Sequence, residues 1–91
     1  MSESQNEEVL NMVDQMRSTV FNMQTAEYKG DKEAHDQFNQ AYSKLIKSGQ
    51  NLGISDQLDI AETEGRLQAA MEENNEVDIN FFTKQLEEKR G

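Results

Sequence analysis

The chain has no cysteine, no proline and no tryptophan, and its 91 residues include a single histidine, His35. The absence of cysteine excludes disulfides, thiolate metal sites and a cysteine nucleophile. One histidine cannot supply the ligands of a histidine-rich zinc site. A chain this short therefore depends on apolar packing for its stability, either within the chain or between chains.

Basic residues are also scarce. Nine lysines and arginines stand against 18 acidic residues, which gives a net charge of −9. Nucleic acids and anionic membranes carry charge of the same sign and are repelled. The N-terminal stretch "MSESQNEEVL" has acids where a signal peptide has bases. No apolar run approaches the roughly 20 residues of a membrane span. We predict a cytoplasmic protein that binds neither membranes nor nucleic acid directly.

Apolar residues recur at helical spacing along most of the chain. In the first segment the steps are four, three, four and three, at Val9, Val13, Met16, Val20 and Met23. After a disordered N-terminus (residues 1–5), we predict one domain (residues 6–91) with helices at about 6–28, 32–48, 56–73 and 76–89. The predicted fold class is all-α, an antiparallel hairpin or bundle of three to four helices. Because the core is small, we expect oligomerisation to complete it.

Polar residues and glycines predict where these helices begin and end. Gly30 is a natural end for the first helix, and Asp31 is a natural N-cap for the second. Gly49 is expected to end the second helix in the left-handed conformation. Ser55 or Asp56 is expected to cap the third helix.

Two later features allow more than one interpretation. Gly65 marks either a close contact between helices or a weak point, because glycine costs about 1 kcal/mol of helix propensity. The stretch "VDINF" (residues 77–81) alternates as a strand does. However, Asn75 followed by Asp78 resembles a helix-capping arrangement, which favours a fourth helix.

Groups for catalysis or metal binding are few. His35 has Asp31 one turn earlier and Asp36 beside it, so it is either a salt-bridged pH sensor, a single metal ligand or an exposed side chain of an acidic helix. The last interpretation is the simplest, because one imidazole needs a neighbouring nucleophile or further ligands. The chain contains no calcium loop, phosphate loop or hydrolase motif. We predict a non-enzyme without catalytic residues, metal or cofactor.

Aromatic side chains are the candidate partner contacts. Phe81 and Phe82 are adjacent, so on a helix they point about 100° apart and one small core rarely covers both. One is expected in the core and the other in a homodimer seam or against a partner. The candidate partner-binding residues are Phe81, Phe82, Leu86, Phe21 and Tyr42. The flank of the first helix is the alternative surface.

Two segments, "DKEAHDQFNQAYSKLIKSG" and "NNEVDINFFTKQLEE", carry a resemblance to a known family. Together with "AEYK" (residues 26–29), the matching positions span about two-thirds of the chain. These positions are Glu33, Ala34, Phe38, Ala41, Leu45, Asn75, Val77, Phe81 and Phe82. This pattern resembles the YlbF/YmcA-type family of small all-helical bacterial proteins. The resemblance implies an oligomeric regulatory protein that acts through protein partners. Some relatives work in iron–sulfur complexes, but this chain has no cysteine to ligate a cluster.

These features predict a non-enzymatic interaction module, either a small regulatory or adaptor subunit or a chaperone-like one. Its partner would be another protein, a second copy of the chain, or both. An alternative is an acidic mimic of DNA, such as a phage-encoded inhibitor of a nucleic-acid-binding protein. A third hypothesis, an enzyme or metal protein centred on His35, requires that residue for activity.

Overall fold

The computed structural model describes residues 3–91, with side chains from Asn6 onward. It contains four helices: α1 (Glu3–Lys29), α2 (Lys32–Leu52), α3 (Ser55–Glu73) and α4 (Glu76–Arg90). The all-α prediction is confirmed, and the strand interpretation of residues 77–81 is wrong because they lie within α4. Met1 and Ser2, part of the predicted disordered N-terminus, lie outside the described residues, and α1 begins at Glu3.

The helix α1 lies between α2 and α3, and α4 packs along α3. Hydrogen bonds join Arg17 to Glu64 and Arg66 to Gln24, so α1 and α3 run in the same direction. The intervening α2 runs back along α1. Since α4 follows α3 through a tight turn, it also runs antiparallel to its neighbour.

The core lies where α1, α2 and α3 meet. Its buried members are Met12, Met16, Val20, Met23, Ile54, Leu58 and Ala61. The principal extents of the molecule are 40 × 32 × 17 Å. The shortest extent is less than twice the roughly 10–12 Å diameter of one helix, so the molecule is flat. Such a shape leaves many apolar side chains near the surface, and Phe38, Leu45 and Ile46 of α2 are only half-buried.

Gly65 allows α1 and α3 to approach each other closely. A Cβ atom at this position would lie 2.5 Å from the Arg17 carbonyl oxygen and 3.1 Å from the Phe21 amide nitrogen. Both neighbours are backbone atoms, which cannot move aside as a side chain can. The interpretation of Gly65 as a close helix contact is therefore confirmed.

Several predicted helix ends are confirmed. Gly30 follows α1 with a φ of 70°, and the Asp31 carboxylate accepts a hydrogen bond of 3.1 Å from the Ala34 amide. The break between α3 and α4 falls at Asn74, which has a φ of 58°. Asn75 then caps α4, because its side-chain oxygen accepts from the amide of Asp78 at 3.0 Å.

The predicted end of α2 and the predicted N-cap of α3 are wrong, although α3 begins within one residue of its predicted start. Gly49 is buried inside α2, and the left-handed residue is Gly53, with a φ of 72°. A side chain at Gly49 would collide with Leu58, so this glycine serves packing rather than a turn. Ile54 occupies the N-cap position of α3 without a side-chain hydrogen bond, so neither Ser55 nor Asp56 is the cap.

Candidate protein-interaction surface

Phe82 and Leu86, two of the predicted partner contacts, face the interior. They lie four residues apart on one side of α4 and are only 9% and 8% exposed. The backbone neighbour of α4 is α3, so this side of α4 packs against α3. We therefore correct the prediction that these two residues belong to an exposed partner surface. They are buried because a short helix needs its apolar side to hold it in place.

Phe81 lies on the outer side of α4. Its side chain is 56% exposed, and Val77, one turn earlier, is 77% exposed. The rings of Phe81 and Phe82 meet edge to face with centroids 5.5 Å apart. The two adjacent rings thus divide between interior and surface, as the helical geometry indicated, and the partner role of Phe81 stays a prediction.

Tyr42 takes part in an internal polar network between three helices. Its hydroxyl donates to the Glu62 carboxylate at 2.9 Å. Arg66 donates to the same carboxylate at 3.1 Å and to the side-chain oxygen of Gln24 at 2.6 Å. Burial, together with the bond to Glu62, raises the pKa of Tyr42 to about 12. The tyrosine therefore joins α2 to α3, and its half-buried ring presents little free surface.

Phe21, the remaining predicted contact, is half-buried beside the crossing of α1 and α3. Its backbone approaches Gly65 closely at this crossing. The five predicted residues are thus spread over three helices and form no single exposed patch among the residues that the structure describes.

A more coherent surface lies between the first halves of α1 and α3. We call it the α1–α3 groove, and it is lined by Asn6, Val9, Leu10, Val13, Arg17, Gln57, Ile60 and Glu64. The groove is open to solvent, and Leu10 at its edge is 64% exposed. Sequence reasoning identified the flank of the first helix but missed the contribution of Ile60. The sequence signal for an apolar surface on this flank was Leu10, an apolar residue outside the regular face formed by Val9, Val13, Met16, Val20 and Met23.

Charged residues at one end of the groove are paired across three helices. Arg17 donates to Asp14 at 3.0 Å and to Glu64 at 3.1 Å. The second carboxylate oxygen of Glu64 accepts from Arg90 at 2.5 Å. Glu64 thus links α1, α3 and the last turn of α4.

His35 lies near the turn between α1 and α2. Its Nδ1 atom is 3.8 Å from a carboxylate oxygen of Asp36, too long for a hydrogen bond. It lines an open cleft with Gly30 and Asp31. Among the described residues, no three His, Cys, Asp or Glu side chains are grouped to hold a metal ion.

Within the part of the chain that the structure describes, no helix combines the length and apolarity that crossing a bilayer requires. Comparisons of the chain with protein-family models, with curated proteins and with solved structures give no match. The resemblance to the YlbF/YmcA-type family consequently stays a prediction.

Proposed function

We propose that this protein is a non-enzymatic protein–protein interaction module, a small regulatory or adaptor subunit. The observation that carries the proposal is the α1–α3 groove. There, Leu10 projects into solvent beside Val9, Val13 and Ile60. Open apolar grooves of this kind between helices are typical docking sites for partner segments.

The carboxylates nearest the groove and the core support an interaction role over an enzymatic one. A general acid needs a carboxyl group in an apolar pocket without a compensating base. Glu62 instead pairs with Arg66, and Glu64 pairs with Arg17 and Arg90. These contacts supply both carboxylates with hydrogen-bond donors from the protein itself.

The test uses quantitative affinity capture from the native cell with the tagged full chain and two matched variants. Leu10→Gln removes the exposed groove leucine, whereas Leu52→Gln makes the same change at another exposed leucine, in a separate cleft between α1 and α2. We expect a partner retained by wild type and Leu52→Gln to be reduced about tenfold with Leu10→Gln, the loss of one well-buried interface contact. Equal recovery by all three proteins would contradict the proposal.

An acidic mimic of DNA is the second candidate, and the net charge of −9 favours it. Mimicry distributes the binding energy over many carboxylates, so capture would fall steeply with salt and depend little on Leu10. Binding through an apolar groove would persist at high salt and depend strongly on Leu10. The same capture experiment, eluted in salt steps, therefore separates the two functions.

Self-association is a third possibility for a partner, and Phe81 with Val77 supports it. These side chains lie one turn apart on the outer side of α4 and are both exposed. An apolar pair on an unpartnered helix face suits a two-fold contact with a second copy. Homodimerisation through α4 would leave the α1–α3 groove open.

A further inference from the structure

The α1–α3 groove begins where α4 ends. Glu64 lines the groove and also accepts the hydrogen bond from Arg90, in the last turn of α4. At the opposite end of α4, Asp78 accepts a hydrogen bond of 2.6 Å from the hydroxyl of Tyr28 in α1. The helix α4 therefore lies on the side of α3 that borders α1. The groove lies on the same side of α3, beyond the end of α4 and closer to the N-terminal ends of α1 and α3.

The docking of α4 shows what kind of helix this side accepts. Its apolar residues, Phe82 and Leu86, turn inward. Its bases then reach the acids of α3: Lys89 meets Asp59 at 2.9 Å, and Arg90 meets Glu64. Two apolar side chains followed by two C-terminal bases are thus already bound next to the groove.

Acidic residues also border the open part of the groove. On α1, Glu7 and Asp14 lie three residues before and four residues after Leu10, so they share its side of the helix. On α3, Glu64 lines the groove one turn after Ile60, whereas Asp56, one turn before Ile60, lines the neighbouring cleft between α2 and α3. The apolar centre of the groove is therefore flanked by carboxylates on both helices.

Arg17, the basic residue that lines the groove, is already neutralised. It pairs with Asp14 and with Glu64, so the positive charge is directed to residues of the protein itself. Glu7 and Asp56 are exposed and have no ion-pair partner among the described residues. The free charge around the groove is consequently negative.

We propose that the α1–α3 groove binds a basic amphipathic helix of a partner protein. This inference rests on the proposed interaction function and names the chemistry of the partner. The apolar side of the helix covers Leu10, Val13 and Ile60, and its lysines or arginines meet the acidic border. At this acidic border, a second copy with its net charge of −9 is a poorer occupant than a basic helix.

The experiment uses the full chain and two model peptides of equal length, with leucines at helical i, i+3, i+4 and i+7 spacing. One peptide carries lysine at the polar positions and the other carries glutamate. Affinity is measured by fluorescence anisotropy, and the binding site is located by amide chemical-shift changes. We expect the leucine–lysine peptide to bind and to shift amides of residues 9–17 and 57–64.

The variants establish which surface is used. Leu10→Gln should weaken the leucine–lysine peptide about tenfold, equivalent to about 1.4 kcal/mol, whereas Leu52→Gln should leave its affinity unchanged. Added salt should reduce the affinity only in part, because apolar contact contributes as well.

Three outcomes would overturn the inference: no binding of the leucine–lysine peptide, equal binding of both peptides, or shifts confined to residues outside the groove. A fourth outcome would be a dimer, detected by light scattering, that Leu10→Gln dissociates. This result would assign the groove to a second copy of the chain. If Leu10-dependent capture from cells succeeds while the leucine–lysine peptide fails, the interaction function stands and only the basic helix is wrong.

Discussion

The three-helix core and α4 are held together by different kinds of contact. In the core, long apolar side chains such as Met16, Val20 and Leu58 are completely or almost completely buried. In contrast, α4 contributes two buried apolar side chains and is tied down by Lys89 and Arg90 through ion pairs. One flat molecule therefore contains a core held by apolar packing and an arm whose attachment depends partly on charge.

The largest expected effect comes from removing a core side chain. Met16→Ala should lower the free energy of unfolding by about 3 kcal/mol, because Met16 has no exposed surface and its removal leaves a cavity. Met71→Ala is the matched control, and this exposed methionine should change stability by less than about 0.5 kcal/mol. Urea unfolding followed by circular dichroism measures both. Similar losses of unfolding free energy for the two variants would mean that burial in the core is not the main source of stability.

Gly65→Ala tests how tightly α1 and α3 fit together in the core. We expect a loss of about 2 kcal/mol, because backbone atoms of α1 must move and the gain in helix propensity offsets only part of the strain. Gly49→Ala is the comparison variant, since its new Cβ would collide with the Leu58 side chain, which can adjust more than the backbone atoms that face Gly65.

Thermal unfolding of the two glycine variants should therefore differ clearly, with Gly65→Ala the less stable. An unchanged midpoint for Gly65→Ala would show that the two helices can separate at no cost.

Tyr42 adds a pH-dependent contact to the core. Its folded pKa of about 12 exceeds the unfolded value of 10.0, so its contribution is complete below pH 10 and is lost as the pH rises through about 12. Tyr42→Phe should cost about 1 kcal/mol at neutral pH through the lost hydrogen bond to Glu62. The difference between the variant and wild type should shrink in alkali. Parallel pH curves from urea unfolding would refute this assignment.

The smallest effect concerns the ion pairs of α4. Lys89→Met should lower the local stability of α4 by about 0.5 kcal/mol at low salt and by less at high salt, because the Lys89–Asp59 pair is partly exposed and screened. Lys84→Met is the matched control, since Lys84 is exposed and has no ion pair among the described residues.

Amide hydrogen exchange of α4 measures this change directly and separates it from unfolding of the core. A salt-independent loss of protection in Lys89→Met would indicate that the hydrogen bond to the Thr63 hydroxyl or the packing of the lysine stem, rather than the pair with Asp59, holds the helix.

The sequence predicted the four helices because apolar spacing and capping chemistry act locally. The Asp31 and Asn75 caps were predictable, since each accepts from an amide three residues later. The boundary at Gly49 was not predictable in the same way. Two glycines of the connection are compatible with a helix end, and the choice of Gly53 depends on how α2 meets Leu58 of α3.

The candidate site was less predictable than the helices. Adjacent aromatics on α4 indicated one inward and one outward ring, but the sequence does not specify which of the two faces α3. Similarly, Leu10 and Ile60 are 50 residues apart in the chain. Their meeting in one groove follows from the parallel packing of α1 on α3, which Gly65 permits.

The all-α class, the acidic charge and the dependence on apolar packing are apparent from the sequence alone, because composition and helical periodicity are properties of short stretches. In contrast, the burial of Phe82, the exposure of Leu10 and the end of α4 beside the groove become apparent only when the helices pack together. These outcomes depend on contacts between residues far apart in the chain, where the close approach of two backbones selects one arrangement of otherwise similar amphipathic helices.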